Sequence, residues 1–370
     1  MSNEALIVAG VRTPIGSMGG VLSTVPATEL GATCIKAALE KAGVPGDEVH
    51  EVIMGNVVSA GIGQNPARQA AIKAGLPVSV GATTVNKVCG SGLKAVMFAT
   101  QSIRLGYAQV VVAGGMENMS LAPYLLPQAR VGYRMGNGVL VDSMRHDGLW
   151  DVYGDKHMGI YGDQCAAKYG FSKQDQDDFA IRSYTRARKA TAEGVFDDEI
   201  VPVEIKSKKG STIVREDEEP SRFNEDKLRA LRPAFGAEGT VTAGNASSIN
   251  DGAPALVCVS DARCASLRLK PIARVVGAAT FSQEPEWFTI APIGALKRLM
   301  DKVNWSVGEV DVFEINEAFA AVTMAAEKEL KLPAEKVNIY GGAVALGHPI
   351  GCSGARILVT LLTALRRTGG

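Results

Sequence analysis

Residues 82–115, ATTVNKVCGSGLKAVMFATQSIRLGYAQVVVAGG, decide the fold class of this chain. They predict a strand at 82–86, a helix at 91–105 and a second strand at 109–113, with a glycine-rich turn at Cys89 between the first two. An apolar strand, an amphipathic helix and another apolar strand form the repeating unit of α/β layer structures. The stretch therefore predicts an α/β fold.

The same alternation precedes this stretch and returns near the end of the sequence. The expected elements before it are strands at 5–9 and 51–58 with helices at 28–42 and 66–74; those after Pro271 are strands at 272–278, 310–315 and 337–340 with helices at 291–303, 317–330 and 353–366. In both series a helix opens on a Ser-Gly pair directly after a glycine-rich turn, in SGLKA at 91–95 and SGARI at 353–357. The sequence thus contains an internal repeat, and the two halves are expected to face each other.

The repeat also defines the expected domains. We predict an N-terminal half made of residues 1–117 and 247–270, an inserted loop domain at 118–246, where the sequence is longer and more polar, and a C-terminal half at 271–370. Aligning the two Ser-Gly pairs places the next strand of the second half beyond residue 370. The C-terminal half is therefore expected to lack its last strands, and the natural sequence to continue further.

Composition narrows the possible partners and location. The 39 Lys and Arg residues balance 39 Asp and Glu residues, so no broad positive field favours nucleic acid or anionic membranes. The apolar stretch at 5–9 is too short for a signal peptide, and no apolar run approaches the roughly 20 residues of a membrane span. The six cysteines form no C-x-x-C pair and no Cys/His cluster at zinc spacing. We expect a cytoplasmic protein without a metal site.

Two glycine-rich turns carry the candidate chemistry. Cys89 has glycine after it and precedes a helix, whose unpaired N–H groups favour an anion and are expected to lower the thiol pKa. His348 lies in GGAVALGHPIG at 341–351, nearly the equivalent place in the second half. If a pseudo-twofold axis relates the halves, the turns converge and place a base beside a thiol, as cysteine nucleophiles require.

Two further positions are candidates for ligand contact, but each also has a purely structural interpretation. Asn316 ends the expected strand at 310–315, where open α/β sheets place ligand-contacting groups, but it is equally suited to cap the following helix. His157 and Met158 stand in the loop segment, where they could form a turn and fill the core.

Over essentially its whole length the chain resembles thiolases. The matching motifs are Asn86-x-x-Cys89-Gly90-Ser91-Gly92, Gly114-Gly115-Met116-Glu117-x-Met119-Ser120, Thr242-Ala243-Gly244-Asn245-Ala246-Ser247-x-x-Asn250-Asp251-Gly252-Ala253, Asn316-Glu317-Ala318-Phe319 and Gly347-His348-Pro349-x-Gly351-x-Ser353-Gly354. The resemblance implies duplicated α/β halves, with mixed five-stranded sheets and shared central helices, and an inserted loop domain. It also implies a dimer of dimers, with coenzyme A held between loop domain and core.

The resemblance assigns roles to particular residues. Cys89 would take the acyl group, His348 would deprotonate it and help bind the thioester oxyanion, and Asn316 would hold a water that completes this oxyanion hole. His157 and Met158 resemble the pair that limits acyl length in short-chain members, which favours acetyl-CoA and acetoacetyl-CoA. The remaining coenzyme A contacts would be Leu149, Arg222, Phe235, Ala243, Ser247, Ala318 and Phe319.

The leading functional hypothesis is a ping-pong acetyl-CoA C-acetyltransferase with acyl-CoA substrates and no prosthetic group. Thiolases of this kind end in a Cys-x-Gly-Gly-Gly motif that supplies the carbon-acid base, and the sequence has no such motif; Cys352 is expected to pack in its turn instead. The alternatives are a 3-ketoacyl-CoA thiolase of broader chain length and a non-catalytic, thiolase-like subunit that binds coenzyme A. A ketoacyl synthase fits less well, because such sites pair the cysteine with two histidines.

Overall fold

A computed structural model describes residues 4–207 and 210–369. The helices are α1 (Ala27–Ala42), α2 (Pro66–Lys73), α3 (Ser91–Arg104), α4 (Met158–Tyr169), α5 (Lys173–Ala192), α6 (Glu225–Arg229), α7 (Asp261–Ser266), α8 (Ala291–Val303), α9 (Ala320–Leu330), α10 (Ala343–Leu346) and α11 (Ile350–Thr368). The strands are β1 (Ala5–Arg12), β2 (Gly16–Ser17), β3 (Glu51–Gly55), β4 (Gly81–Val85), β5 (Val110–Gly115), β6 (Glu117–Asn118), β7 (Tyr124–Leu125), β8 (Val141–Asp142), β9 (Trp150–Asp151), β10 (Lys156–His157), β11 (Val203–Ser207), β12 (Gly210–Val214), β13 (Asn250–Gly252), β14 (Pro254–Ser260) and β15 (Ala273–Arg274).

The main sheet is mixed and is covered by helices on both faces. Its strand order is β15-β1-β14-β5-β3-β4, with β5, β3 and β4 parallel and the remaining pairs antiparallel. In β5, Val110 and Val112 pack with α1 and α2, whereas Val111 and Ala113 pack with α3 and α11. Burying a valine fully stabilises the fold by roughly 1.5–3 kcal/mol. Two buried faces explain why the sequence of β5 is an unbroken apolar run.

Helices α3 and α11 are shared between the two halves and meet at their first turns. A Cβ atom at Gly92 would lie 2.7 Å from the backbone nitrogen of Ala355, and one at Gly354 would lie 2.6 Å from that of Leu93. Only glycine allows the two backbones to approach this closely. The two Ser-Gly pairs therefore face each other, which confirms the arrangement that the internal repeat predicts.

The expected strands at 310–315 and 337–340 are not formed, and this part of the prediction is wrong. The two segments share a single parallel bridge, between Phe313 and Val337. The Asn338 side chain then accepts a hydrogen bond from the backbone N–H of Ile315 and donates one to its carbonyl, both at 2.8 Å. Because an amide side chain takes the place of the next ladder pair, the ladder ends there.

The first segment of the second half also differs from the expectation. Instead of a strand at 272–278, only β15 forms, and it pairs with β1 as a sixth strand on the sheet of the first half. The five strands expected for the first half are present, but the described residues of the second half build no sheet of their own. In the first half, β5 joins β3 to β14. Among the described residues of the second half, no strand takes the place that β5 has in the first, so the extended segments have no central partner there.

A buried ionic network ties residues 118–246 to the core. The guanidinium of Arg12 contacts Glu199 and Asp217, each at 2.7 Å, and all three side chains are buried. Thr360 and Thr363 of α11 donate to Glu199 at 3.2 and 2.6 Å. Removing one partner would leave a buried charge uncompensated, so the network fixes how this segment sits on the core.

The inserted segment contains a hairpin, in which β11 pairs antiparallel with β12. Lys208 and Lys209 lie outside the described residues. Within residues 4–207 and 210–369, no helix is long and apolar enough to cross a membrane.

Candidate active site

The turn that carries Cys89 is held by the first residue of α3. The Ser91 hydroxyl donates to the Val88 carbonyl at 2.6 Å and accepts from the backbone N–H of Lys87 at 2.8 Å. Val88 has a φ of 46°, an unusual conformation for a β-branched residue that costs on the order of 1–3 kcal/mol. Strain of this size persists only where surrounding contacts enforce it. The sequence thus places Cys89 in a turn with one enforced shape.

The turn that carries His348 meets the Cys89 turn, as the repeat predicts. His348 Nε2 lies 3.1 Å from the Cys89 sulfur, and its backbone N–H donates to Asn250 Oδ1 at 2.8 Å. The Asn316 amide nitrogen lies 3.4 Å from the same Nε2 atom. Asn316 Oδ1 is buried and has no hydrogen-bond partner among the described residues. The three residues expected to be catalytic therefore form one cluster.

Ser353 decides which imidazole nitrogen is free to act as a base. Its hydroxyl oxygen lies 2.6 Å from His348 Nδ1 and 3.0 Å from the Pro349 carbonyl. A carbonyl can only accept, so the single hydroxyl proton points to Pro349 and the oxygen accepts from Nδ1–H. Nε2 then carries the lone pair that faces the Cys89 thiol. Sequence reasoning used Ser353 only as part of a motif and did not recognise this role.

We expect Ser353→Ala to slow acylation of Cys89 about tenfold, because the imidazole loses the bond that selects its tautomer. Single-turnover labelling with acetyl-CoA measures the effect. Ser183→Ala is the matched control, since it removes another buried serine hydroxyl, which donates to Glu317 at 2.8 Å. Equal acylation rates in the two variants would contradict the assigned role.

Burial sets the protonation states of the resting pair. The pKa of Cys89 is raised by burial, and the charge of Glu117 raises it further. The pKa of His348 is lowered by burial and by the nearby charge of Arg356. The expectation that the helix N-terminus lowers the thiol pKa is therefore wrong for the resting protein, since desolvation outweighs it. At neutral pH the site holds a neutral thiol and a neutral imidazole.

Glu117 is a further residue at the site that sequence reasoning did not identify. Its buried carboxylate accepts hydrogen bonds from the backbone N–H groups of Val57, Val58 and Gly351 and from the Asn56 side chain. A charged residue directly after the apolar run of β5 was the available signal.

An apolar wall brings together four of the expected coenzyme A contacts. Met158, Phe235, Ala318 and Phe319 pack in one hydrophobic cluster. The His157 ring stacks on Phe235 with ring centroids 4.6 Å apart.

The other expected contacts are distributed around this wall. Ser247 is tied to it through its hydroxyl, which donates to the Ala318 carbonyl at 2.9 Å. Leu149 packs instead in the cluster that includes Cys89. Ala243 is exposed, and the Arg222 guanidinium forms an ion pair with Glu218.

Two surface grooves have neither Cys89 nor His348 among their lining residues. One of about 540 Å³ runs along the β4 edge, and one of about 460 Å³ lies among residues 124–150. Across the described parts of the chain, no group of three or more His, Cys, Asp or Glu side chains could hold a metal ion.

Fold and site together define an α/β protein with a cysteine–histidine pair suited to acyl transfer. Family models agree: residues 5–262 match "Thiolase, N-terminal domain" and residues 269–370 match "Thiolase, C-terminal domain". The chain belongs to the thiolase family, and the resemblance noted from its motifs is confirmed.

Similar proteins match over nearly their full length. "Acetyl-CoA acetyltransferase" of Chromobacterium violaceum is 52% identical over 368 residues, which are 99% of this chain and 94% of the relative. "Acetyl-CoA acetyltransferase 2" of Arabidopsis thaliana is 52% identical, and the match covers 99% of this chain and 92% of that protein. The crystal structure of the Bacillus anthracis acetyl-CoA acetyltransferase superposes with a TM-score of 0.97 and 42% identity, covering 100% of this chain and 93% of the other. The thiolase fold is thereby confirmed.

Proposed function

We propose that this thiolase is an acetyl-CoA C-acetyltransferase, which condenses two acetyl-CoA molecules to acetoacetyl-CoA and free coenzyme A and also catalyses the reverse thiolysis. The 3.1 Å contact between the Cys89 sulfur and the unprotonated Nε2 of His348 is the observation that supports this proposal most strongly. The names of several relatives with about half of their residues identical to this chain support the acetyl group as the one transferred.

The first half-reaction follows from the neutral pair. The Cys89 proton passes to His348 Nε2 while the sulfur bonds to the acetyl carbonyl carbon. The developing oxyanion is stabilised by the new Nε2–H and by a water held at Asn316, whose buried Oδ1 has no partner among the described residues. The bond to the coenzyme A sulfur then breaks, and the departing thiolate takes the proton back from His348. Acetyl-Cys89 and coenzyme A remain.

In the second half-reaction, a second acetyl-CoA loses an α-proton and its carbanion attacks the acetyl-Cys89 carbonyl carbon. The Cys89 thiolate leaves and is reprotonated, so the proton lost from carbon balances the one regained by sulfur. The family resemblance assigns the carbon-acid base to a Cys-x-Gly-Gly-Gly motif, which residues 1–370 do not contain. Cys352 is an unsuitable substitute, because its thiol is fully buried and burial raises its pKa.

The wall of Met158, Phe235, Ala318 and Phe319 would bind the pantetheine arm and the acyl group, together with His157, Leu149, Ala243 and Ser247. Stacking of His157 on Phe235 supports a short acyl pocket, since two packed rings leave little room for a longer chain. Arg222 at the adenine end has the weakest support, because Glu218 already neutralises its charge.

A broader 3-ketoacyl-CoA thiolase remains the second candidate, because a 51% identical relative from Staphylococcus aureus is named "Probable acetyl-CoA acyltransferase". Comparing thiolysis of acetoacetyl-CoA with that of its six-carbon homologue separates the two candidates. A non-catalytic coenzyme A-binding subunit is disfavoured, since binding alone needs no base aligned on a thiol.

The decisive test incubates residues 1–370 with radiolabelled acetyl-CoA beside a Cys89→Ser control. We expect label on wild-type Cys89 and at least about a thousandfold less label on the serine variant, because a hydroxyl is a far weaker acceptor beside a neutral base. Label in acetoacetyl-CoA reports condensation separately. Folded wild-type protein that acquires no label would refute the acyl-acceptor role and favour the binding subunit.

The remaining proposals concern organisation. We predict a dimer of dimers, a loop domain at 118–246 inserted into the N-terminal half, and a cytoplasmic location. Sedimentation of the purified chain and fractionation of the producing cells test the first and last of these.

A further inference from the structure

Glu117 joins parts of the chain that are distant in sequence and adjacent at the site. Oε1 accepts hydrogen bonds from Asn56 Nδ2 at 2.8 Å and Val58 N–H at 3.1 Å. Oε2 accepts from Val57 N–H at 3.0 Å and Gly351 N–H at 2.8 Å. Val57 and Val58 pack in the same cluster as Cys89, and Gly351 lies three residues after His348. One carboxylate therefore connects the nucleophile's surroundings to the turn that holds the base.

These four contacts favour the ionised form of Glu117. All four partners are donors, and two carboxylate oxygens offer about four acceptor positions. A protonated carboxyl group would have to donate, and each of these partners can only donate at that contact. Burial raises the pKa of Glu117 to about 7, while the backbone donors lower it. Because the donors saturate both oxygens and pH 8 lies above this pKa, the anion predominates near pH 8.

The charge of ionised Glu117 changes the pKa values of neighbouring groups on several elements. Its charge raises the pKa of Cys89, before α3, and that of Cys352, in α11. Asp251 of β13 in turn raises the pKa of Glu117. Arg356 is the charged group that acts on His348.

We propose that Glu117 is a positioning residue for acyl transfer: its buried carboxylate locks the Cys89 surroundings to the first turn of α11, and its charge adds to the burial that keeps Cys89 a thiol until His348 takes the proton. This deepens the proposed acyltransferase function, and only the acyl-transfer measurement below rests on that function. A thiol nucleophile with a matched base resists unproductive alkylation and oxidation, because the thiolate is the reactive form.

The test compares alkylation of Cys89 by iodoacetamide with acylation by acetyl-CoA, in the full chain. Cys89 is partly exposed whereas the other five cysteines are buried, and peptide mass spectrometry identifies the modified residue. The dependence of the alkylation rate on pH gives the midpoint at which the Cys89 thiol ionises. In the wild type this midpoint is expected above the ordinary thiol value of ~8.5. A wild-type midpoint below that value would refute the combined effect of burial and the Glu117 charge without any variant.

Glu117→Gln removes the charge and turns an acceptor into a donor that faces other donors. We expect its midpoint to fall by about one unit, so that alkylation near pH 8 becomes about tenfold faster, while acylation slows at least tenfold. Glu117→Asp keeps the charge with a shorter reach, so it is expected to retain the wild-type midpoint with slower acylation. Glu317→Gln is the control, since Glu317 is an equally buried carboxylate with three partners and does not act on Cys89.

The outcomes separate the proposals. Opposite changes in alkylation and acylation support the role of Glu117, because simple misfolding changes Glu117→Gln and Glu117→Asp alike. A wild-type midpoint in Glu117→Gln, or an equal shift in Glu117→Asp, overturns it. If Glu117→Gln does not fold, Glu117→Asp and the wild-type midpoint still test the proposed role of Glu117. Wild-type protein with a raised midpoint and no acylation would contradict the acyltransferase function instead.

Discussion

Replacement of His348 by alanine is expected to reduce acylation of Cys89 on the order of a thousandfold. General bases contribute roughly 10²–10⁴-fold, and the Cys89 thiol cannot ionise readily on its own because burial raises its pKa. Rapid-quench labelling with acetyl-CoA measures the rate. His50→Ala is the matched control, since His50 is exposed and its Nδ1 atom lies 3.1 Å from the Glu48 carbonyl oxygen, remote in sequence from both turns of the site.

The pH dependence of the wild type tests the same assignment. Burial lowers the pKa of His348, so its imidazole stays unprotonated as the pH falls through ~6.5, the ordinary histidine value. His348 is therefore expected to cause no loss of acylation between about pH 7.5 and 6, and a decline centred near pH 7 would report Glu117 instead. A loss of rate centred near pH 6.5 that persists in Glu117→Gln would show that His348 titrates normally and that the site is less desolvated than its geometry indicates. Unchanged acylation in His348→Ala would exclude the histidine as the base.

Gly347→Ala is expected to damage the site nearly as severely. Gly347 has a φ of 105°, and a Cβ atom there would lie 2.5 Å from the Asn250 side-chain carbon. Asn250 Oδ1 holds the backbone N–H of His348, so moving this amide displaces the base. We expect a loss of acylation of roughly a hundredfold, since small misplacements of a catalytic group cost about that much. Thermal unfolding is also expected to show a destabilisation of roughly 3 kcal/mol.

Gly132→Ala provides the comparison for Gly347→Ala. Gly132 also has a positive φ, 93°, but apart from its chain neighbours no atom of the described residues lies within 4 Å of a Cβ built there. Gly132→Ala introduces the backbone strain without the collision, so it measures the cost of the strain alone. Equal acylation and equal unfolding temperatures in the two variants would mean that the contact with Asn250 does not control the His348 turn.

Periodicity and the internal repeat predicted most of the first half and the meeting of the two turns. Helix α8 forms at the expected residues, 291–303, because its apolar stripe and its capping residue Asn304, in the left-handed conformation, are local features. The strands predicted at 310–315 and 337–340 do not form, because a strand needs a neighbouring strand to pair with. A strand pattern records only that a segment could pair, and the local sequence does not reveal that Asn338 occupies the pairing groups of Ile315.

The sequence by itself determined the candidate nucleophile, the candidate base and their approach, since a duplicated strand–turn–helix unit brings equivalent turns together around its axis. Only the tertiary structure decided how the pair works. Ser353 selects the imidazole tautomer, burial keeps the thiol neutral, and Glu117 joins the two turns through donors distant in sequence. Hydrogen-bond partners and desolvation depend on which groups surround an atom in three dimensions, and periodicity along the chain carries no record of those neighbours.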